Sequence, residues 1–313
     1  MNKTFLAVCI AALALLGQGS AQAQAPACDE RCLTDIAQQY LQDVVTQDWS
    51  KLPWADRVRY TENNVAMMIG DGFWGAGPTI VGEGLYLADA STGNVEWWGI
   101  TAEPGQAAYH GLRLQIENRE ITEVESYLGR EGTPDLFAAV ADYRLDAAFS
   151  TALGDDARTP RDRMVALVDG WFNSRQLNDG KVFTSIADDC VRTVNGLDTT
   201  QDEYWAAQLA RGCRQQLELG LYKPVDRIRA RRYPVVDEET GVVVALSLED
   251  HAVRYLDYSS TDGSGLKVEV PYPSTRGRLE LFKIKDGAIT RIDGVSVFLP
   301  YYIHSLWDSR AGG

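Results

Sequence analysis

Histidines are the side chains of this chain best suited to acid–base chemistry, and the sequence holds only three of them. His251 follows Asp250 at the end of an apolar run, and an imidazole beside a carboxylate can accept a proton near neutral pH. His110 alternates with Leu112 and Leu114 in a predicted strand, so it shares their face of the sheet. Each histidine is a candidate general base, and the competing interpretation is a hydrogen-bonded histidine of the core or of a strand end.

Tyr60 and Glu62 form a second candidate pair. They are two residues apart in a predicted strand, so both side chains project from one face. A phenol can donate a hydrogen bond to a developing oxyanion, and a carboxylate can abstract a proton. The alternative is a solvated strand face.

Four further residues are candidates for contact with a substrate, namely Arg232, Asp189, Tyr204 and Trp74. Arg232 belongs to a cationic strand and could bind a carboxylate or a phenolate, although a salt bridge with the acidic excess is the competing interpretation. Asp189 lies where a helix should pass into a strand, and could enter a pocket. Tyr204 and Trp74 could line a pocket for a flat ligand, or could belong to the core.

Sequence motifs for bound cofactors and metals are missing or out of context. Residues 70–75 fit the pattern G-x-G-x-x-G, but Ala76-Gly77-Pro78 cannot open the helix that a dinucleotide site requires, which favours a glycine-rich turn. The serine hydrolase motif G-x-S-x-G, the zinc motif H-E-x-x-H and the phosphate loop are all absent from the sequence. We therefore expect a protein without a cofactor or a metal.

The charge of the chain limits its partners. The 313 residues include 30 Lys and Arg against 44 Asp and Glu, which gives a net charge of −14. Nucleic acids and anionic membranes attract cationic surfaces, so neither is an expected partner. Apolar residues make up 45% of the chain, enough for a core, and the length is typical of two domains.

The first 23 residues have the pattern of a secretory signal peptide. A basic start, Met1-Asn2-Lys3, precedes an apolar run over residues 4–16, which is shorter than the roughly 20 residues that span a bilayer. Small residues in an A-x-A pattern place the cleavage after Ala23. The competing interpretations are a buried apolar helix and an uncleaved anchor. Cleavage would leave a periplasmic or secreted protein with no attachment to the membrane.

Four cysteines follow the predicted signal peptide, namely Cys28, Cys32, Cys190 and Cys213. An even number in an exported chain favours disulfides. Of the three pairings, neighbourhood in the sequence favours Cys28–Cys32 and Cys190–Cys213.

A weak internal repeat predicts two similar domains. Residues 116–125 resemble residues 284–293 at an offset of 168, and both are predicted hairpins. The helices that open the halves match at an offset of 131, and Val58-Arg59 matches Val191-Arg192 at an offset of 133. The second half thus gains about 35 residues, which include a predicted helix over 201–221.

The predicted domain limits follow from this repeat. A first domain spans 24–130, a linker with a helix over about 134–150 spans 131–159, and a second domain spans 160–313. Each domain is predicted as α+β, with helices packed on a strongly curved antiparallel sheet. Such a sheet closed by helices forms a cone with an apolar interior, which suits a small hydrophobic or aromatic ligand.

The order of elements resembles the SnoaL-like and ketosteroid-isomerase-like superfamily, which has the cone-shaped nuclear-transport-factor-two-like fold. More narrowly, it resembles an uncharacterised group of exported proteins with this fold. The segments that carry the resemblance are Cys28-Asp29-Glu30-Arg31-Cys32-Leu33, residues 58–63, Gly70-Asp71-Gly72-Phe73-Trp74, residues 231–241, Pro300-Tyr301-Tyr302 and Trp307.

Two functions follow as hypotheses from the resemblance. The first is an exported, cofactor-independent enzyme that abstracts a proton from a small aromatic or polyketide-like molecule. It would be an isomerase, a dehydratase or a carbon–carbon lyase, with lignin-derived aromatics as one substrate class. The alternative is a non-catalytic module that binds a small hydrophobic ligand or another protein.

Overall fold

The computed structural model describes residues 28–132, 137–201, 210–268 and 270–308. The predicted signal peptide, Tyr204 and most of the region around it lie outside the described residues. The elements of the first half are α1 (Glu30–Thr46), a 3-10 turn (Trp49–Lys51), β1 (Trp54–Glu62), β2 (Val65–Ala66), β3 (Thr79–Asp89), β4 (Asn94–Glu103), β5 (Gln106–Glu117) and β6 (Glu120–Arg130).

The second half repeats this order with additional elements. It contains α2 (Arg161–Leu177), β7 (Ile186–Val194), β8 (Leu197–Asp198), α3 (Cys213–Glu218), β9 (Arg227–Asp237), β10 (Val242–His251), β11 (Asp257–Ser259), β12 (Gly265–Lys267), β13 (Ser274–Lys285) and β14 (Ala288–Leu299). The short hairpin β11–β12 and helix α3 have no counterpart among the described elements of the first half.

Each half is built around one helix of 17 residues. The side chain of Asp29 caps α1 by accepting a hydrogen bond from the backbone nitrogen of Cys32 at 2.9 Å. Both helices end on a left-handed residue, Gln47 in α1 and Asn178 in α2. Apolar residues at helical spacing, such as Leu33 and Tyr40, are buried as predicted, whereas Val45 at the margin of that face is exposed.

The two six-stranded sheets have the same strand order, β2-β1-β6-β5-β4-β3 and β8-β7-β14-β13-β10-β9. The antiparallel sheets that we expected are mixed, because β1 runs parallel to β6 and β7 runs parallel to β14. The first and the last long strand of each half pair with each other, although almost a whole domain separates them in the chain. A hairpin would require antiparallel strands, whereas so long a connection also allows parallel ones.

The register between the halves corrects one sequence match. Trp54 of β1 pairs with Ile121, and Ile186 of β7 pairs with Ile289 in the same way, so β1 and β7 align from their first residues. Val58 then corresponds to Cys190 and not to Val191. A slip of one residue in a strand exchanges the two faces, so this correction decides which side chains point into each cone.

Strand bulges give both sheets their strong curvature. The pairing of β3 with β4 shifts between Val81 and Leu85, and the pairing of β9 with β10 shifts at the matching place. Gly82 and Ala230 hold the same position in β3 and β9, and both have positive φ angles, 72° and 51°. A bulge bends its strand and increases its twist, which turns a flat sheet into the wall of a cone.

The two sheets pack back to back through their convex faces. An apolar layer lies between them, with members such as Trp98, Ile100, Val244, Leu246, Leu281 and Val295. Separate clusters fill the space between α1 and the first sheet and between α2 and the second sheet. Strand β6 meets β14 and β3 meets β9, so each strand contacts its own counterpart as in a symmetric dimer.

The connection between the halves differs from the predicted helix. Its described residues form 3-10 turns at Val140–Asp142, Ala147–Ser150 and Asp155–Ala157. Tyr143 accepts a hydrogen bond from Trp98 Nε1 at 2.8 Å and donates one to Asp293 Oδ2 at 2.7 Å. An irregular path lets such side chains contact both sheets, and these tertiary contacts outweigh the helix propensity of the segment.

The predicted helix over 201–221 is also shorter where the structure describes it. Helix α3 covers Cys213–Glu218, and Gly220 follows with a φ angle of +66°, which ends the helical path. Residues 202–209 lie outside the described part of the chain. Among the described residues, no helix has the length and apolar character needed to cross a membrane.

Both predicted disulfides are confirmed. Cys28 is bonded to Cys32 at the start of α1, and Cys190 in β7 is bonded to Cys213 at the start of α3. The second bond closes a loop of 23 residues, whereas the first spans a separation of only 4. The longer loop loses more conformational entropy when it closes, so its bond constrains the unfolded chain more strongly.

We predict that the double substitution C190A/C213A destabilises the protein more than C28A/C32A. The loop-closure relation gives about 3 kcal/mol for the bond Cys190–Cys213 and about 2 kcal/mol for Cys28–Cys32. Urea unfolding of both variants and the wild type measures the difference. An equal loss of stability in the two variants would contradict the prediction.

Candidate functional site

The interior of the first cone is filled by aromatic side chains. Phe73 and Trp74 come from the glycine-rich turn after β2, and Trp97 comes from β4; all three are buried. Trp74 meets Tyr40 of α1 edge to face, with ring centroids 5.1 Å apart. A Cβ atom on Gly84 would lie 2.1 Å from Trp97 Nε1, so this glycine makes room for the indole.

The three candidate catalytic residues of the first half do lie in this cone, but they serve its packing. Glu62 accepts a hydrogen bond from the backbone nitrogen of Phe73 at 2.7 Å and forms an ion pair with Arg130 at 2.7 Å. Tyr60 is buried in the same core, and burial followed by the nearby charge of Glu62 raises its pKa.

His110 is fully enclosed in the first cone. Its ring lies 4.7 Å from Phe73 and 5.4 Å from Trp97, measured between centroids, and its Nε2 is 3.3 Å from Ser126 Oγ. Burial, together with the charge of Arg130, lowers the pKa of His110 to about 3. The imidazole is therefore neutral at physiological pH, and the filled interior makes it a core residue.

The second cone contains a partly open cavity of about 120 Å³. The interiors of the two cones also differ at one equivalent position. Trp97 is the fourth residue of β4, and the fourth residue of the equivalent strand β10 is Ala245. Their partners are also equivalent, because Trp97 pairs with Leu112 and Ala245 pairs with Glu280. The indole that helps to fill the first cone is thus a methyl group in the second, where Ala245 belongs to the apolar core.

Buried ion pairs surround this cavity. Glu249 accepts hydrogen bonds from Arg175 Nη2 at 2.6 Å and from Arg278 Nε at 3.1 Å. Glu280 forms an ion pair with Arg192, with 3.0 Å between Nη2 and Oε1. Although burial opposes it, the charges of Arg175 and Arg278 hold the pKa of Glu249 well below its usual value. Both carboxylates thus remain ionised among the arginines.

His251 lines the cavity, two residues after Glu249 and on the same face of β10. Its side chain is buried, and its Nδ1 has no hydrogen-bond partner. Burial, and then the charge of Arg276, lowers the pKa of His251 below its usual value, while Glu249 acts in the opposite direction. The imidazole is accordingly neutral at pH 7 and free to accept a proton.

Asp250 does not assist His251, which corrects the predicted pair. Adjacent residues of a strand point to opposite faces, so the carboxylate of Asp250 lies on the other side of β10. There it accepts hydrogen bonds from Arg229 Nε at 2.7 Å and from Thr275 Oγ1 at 2.7 Å. Its role in the structure is to anchor the edge strand β9.

The inserted elements of the second half cover the cavity. Gln216 of α3 reaches the cavity wall, and Tyr258, Val268 and Val270 come from the β11–β12 hairpin region. The guanidinium of Arg175 lies over the ring of Tyr222, with Arg175 Cζ 4.4 Å from the ring centroid. The hydroxyl of Tyr222 donates a hydrogen bond to Gln216. The disulfide of Cys213 fixes α3 to β7 and so holds this cover in place.

Three other candidate ligand-binding residues lie away from the cavity. Arg232 forms a bidentate ion pair with Glu125 of the first sheet, at 2.6 and 3.0 Å, because it points away from its own cone. Asp189 is exposed in β7, where its carbonyl accepts a hydrogen bond from Arg291. Trp74 belongs to the core of the first cone, and Tyr204 lies outside the described residues.

The sequence pattern did not single out Arg175, Arg192, Arg278, Glu249 or Glu280. The spacing of two of these residues in the sequence nonetheless indicated their position. Arg175 follows the buried Trp171 by four residues, so it shares the apolar face of α2. Glu249 precedes His251 by two residues in one strand. Charged residues on a face that is otherwise apolar indicate a buried polar site, and this criterion would have found them.

Comparison with family models finds a match to part of the chain. A model described as a domain of unknown function, DUF8021, matches residues 157–296, which is less than half of the chain. No curated protein matches the chain at a significant level.

Solved structures resemble single halves of this chain. An NTF2-like protein from Cytophaga hutchinsonii is 15% identical with a TM-score of 0.28, and the match covers 45% of this chain and 99% of that one. AusH from Aspergillus nidulans is 11% identical with a TM-score of 0.29, and the match covers 44% of this chain and 86% of that one. An LEH-like epoxide hydrolase from M. tuberculosis is 14% identical with a TM-score of 0.28, and the match covers 44% of this chain and 84% of that one. Similarity at this level says nothing about activity.

The architecture is that of two similar α+β halves, each a cone with helices on a strongly curved six-stranded sheet. Within the described ranges, no group of three or more His, Cys, Asp and Glu side chains is arranged to hold a metal ion. The polar groups of the second cone include arginines, two glutamates and one neutral histidine. These groups can bind an anion, transfer a proton and stabilise negative charge.

We predict that His110 makes the stability of the protein depend on pH. Its folded pKa of about 3 lies below the usual value of 6.5, so the unfolded chain binds an additional proton between these values. The stability is complete above pH 6.5 and falls as the pH decreases. Between pH 7 and pH 5 the loss from this group is about 2 kcal/mol.

Urea unfolding of the wild type and of His110→Phe at both pH values tests this. The carboxylates titrate in both proteins, so their effect cancels in the comparison. The variant should lose less stability on acidification than the wild type. The same loss in both proteins would show that His110 does not titrate as described.

Proposed function

We propose that the second cone is the active site of an exported, cofactor-independent enzyme that abstracts a proton from a small aromatic or polyketide-like molecule. The observation that supports this proposal is a cavity in which a neutral histidine faces several arginines. Groups with shifted pKa values that converge in a cavity are typical of catalytic sites.

His251 is the proposed general base. A base must be unprotonated, and the lowered pKa of His251 satisfies this condition at neutral pH. The carboxylates of Glu249 and Glu280 are less suitable, because each is engaged by an arginine at 3.0 Å or less. His251 is the one neutral titratable nitrogen base among the residues that line this cavity.

Arginines on the cavity wall are suited to stabilise the product of proton abstraction. Removal of a proton next to a carbonyl or phenol group places negative charge on oxygen. Arg276 already acts on His251 electrostatically, and Arg278 lies on the adjacent strand β13. Fixed positive charges stabilise such an oxyanion without reorganisation.

The reaction would be an isomerisation, a dehydration or a carbon–carbon cleavage, since each begins with this proton transfer. The two disulfides agree with an oxidising compartment, so we place the protein in the periplasm or outside the cell. The filled first cone would act as a rigid support. The alternative is a binding module, in which the same cavity holds a ligand without chemistry.

We predict that His251→Gln lowers kcat by about 10²- to 10⁴-fold, because glutamine keeps a polar side chain but cannot act as a base. Turnover of a panel of phenolic and carbonyl aromatics, followed by exchange of the substrate proton in D₂O, measures this step directly. The wild-type rate should decline only below pH 6.5, since the pKa of His251 is lowered.

His304→Gln provides the matched control, because His304 is exposed and does not line the cavity. It should retain full turnover. Proton exchange that persists in His251→Gln would remove His251 from its proposed role. Ligand binding by the wild type with no exchange for any compound would favour the binding module.

A further inference from the structure

The cavity of the second cone is cationic, although the whole chain carries a charge of −14. Its lining includes five positive side chains, namely Arg175, Arg192, Arg276, Arg278 and Lys267. Among the residues that the structure describes, Glu249 in the lining and Glu280 behind Arg192 are carboxylates paired with these arginines. A cavity of this kind attracts anions and raises their local concentration.

The fold itself does not require these arginines. Arg175 holds the fifteenth position of α2, and the first half has Val44 at that position of α1. The positions of Arg192, Arg276 and Arg278 in their strands are occupied in the first half by Tyr60, Ala108 and His110. All four arginines are thus particular to the cone that contains a cavity.

Arg175 has donor groups that the protein does not use. Its side chain is 1% exposed, its Nη2 contacts Glu249, and its Nε and Nη1 have no hydrogen-bond partner. Nε of Arg192 is also buried without a partner. A buried guanidinium nitrogen that lacks an acceptor is unfavourable, and an anionic oxygen would supply one.

The electrostatics around Arg175 agree with this geometry. Burial lowers the pKa of Arg175, and the charges of Arg278 and Arg192 lower it further, although Glu249 opposes them. Positive charges crowded in this way repel each other. A bound anion would relieve this repulsion, whereas a neutral ligand would not.

Much of the remaining lining is apolar, with Val194, Leu221, Val225 and Val268 as examples, and Thr199, Gln216, Tyr222 and Tyr258 are polar. The valine and leucine side chains can contact a hydrocarbon body. With a cavity of about 120 Å³, the space suits one small ring or a short chain rather than a large polyanion.

We infer that the second cone selects small organic acids, whose carboxylate binds Arg175 and Arg192 while the apolar body lies against the valine and leucine side chains. The inference rests on the second cone being the ligand site proposed above, and it adds the substrate class. It does not depend on the chemistry of His251.

Calorimetric titration of the full chain with benzoate and with benzamide tests this inference, because the two molecules differ in charge and hardly in shape. Benzoate should bind at least about tenfold more tightly than benzamide, and its affinity should fall as the salt concentration rises. Equal affinities for the two molecules, or tighter binding of benzamide, would overturn the inference. Tight binding of inorganic phosphate without benzoate binding would also overturn it.

Arg175→Lys is the decisive variant, because lysine keeps a positive charge beside Glu249 but lacks the additional guanidinium donors. It should weaken benzoate binding at least about tenfold. Arg175→Met serves as a second variant with the same expectation if the lysine variant does not fold. Arg231→Lys is the matched control, since Arg231 pairs with Asp169 outside the cavity, and it should bind benzoate normally. Unchanged binding in the Arg175 variants would contradict the inference.

The outcomes separate this inference from the proposed enzymatic function. Benzoate binding that depends on Arg175, with no proton exchange in any substrate, would support the inference and overturn the enzyme. Turnover of neutral substrates with no binding of benzoate would support the enzyme and overturn the inference.

Discussion

The back-to-back packing of the two sheets is the constraint on which the rest of the structure depends. Because the convex face of each sheet is buried against the other, the central strands are buried on both faces, as β10 illustrates. Polar groups in this layer include pairs, such as Arg232 with Glu125. The concave face of each sheet is closed by its own helix.

The two halves have the same strand order but differ in a few interior side chains. As a result, the first cone is filled and the second contains a cavity. In the first cone Trp97 and Phe73 fill the interior and enclose His110. In the second cone Ala245 takes the place of Trp97, and residues of α3 and of the β11–β12 hairpin region line the cavity. The insertions follow β8 and β10, at the open end of the cone. The additional residues of the second half therefore lie where they can shape an entrance.

Strand alternation predicted most of the fold. The hairpins β5–β6 and β13–β14 lie where the repeat placed them, because each strand has a buried face of its own. The prediction of a helix in the linker was wrong, because the turns that form there depend on contacts with both sheets that no local pattern reveals. His251 was found as a rare residue type, but its partner was misjudged. Neighbours in sequence were taken as neighbours in space, whereas Glu249 shares its face and Asp250 does not.

The buried charges of the second cone are costly, and this cost indicates what they are for. Each ion removed from water loses several kcal/mol of hydration, and apolar residues of similar volume often give equal or greater stability. The first cone demonstrates such an apolar solution in the same chain, with Val44 and Leu112 at the positions of Arg175 and Glu280. Stability of the fold therefore does not account for the arginine–glutamate cluster. A role in recognising a charged ligand does account for it, because the cluster lies only where the cavity lies.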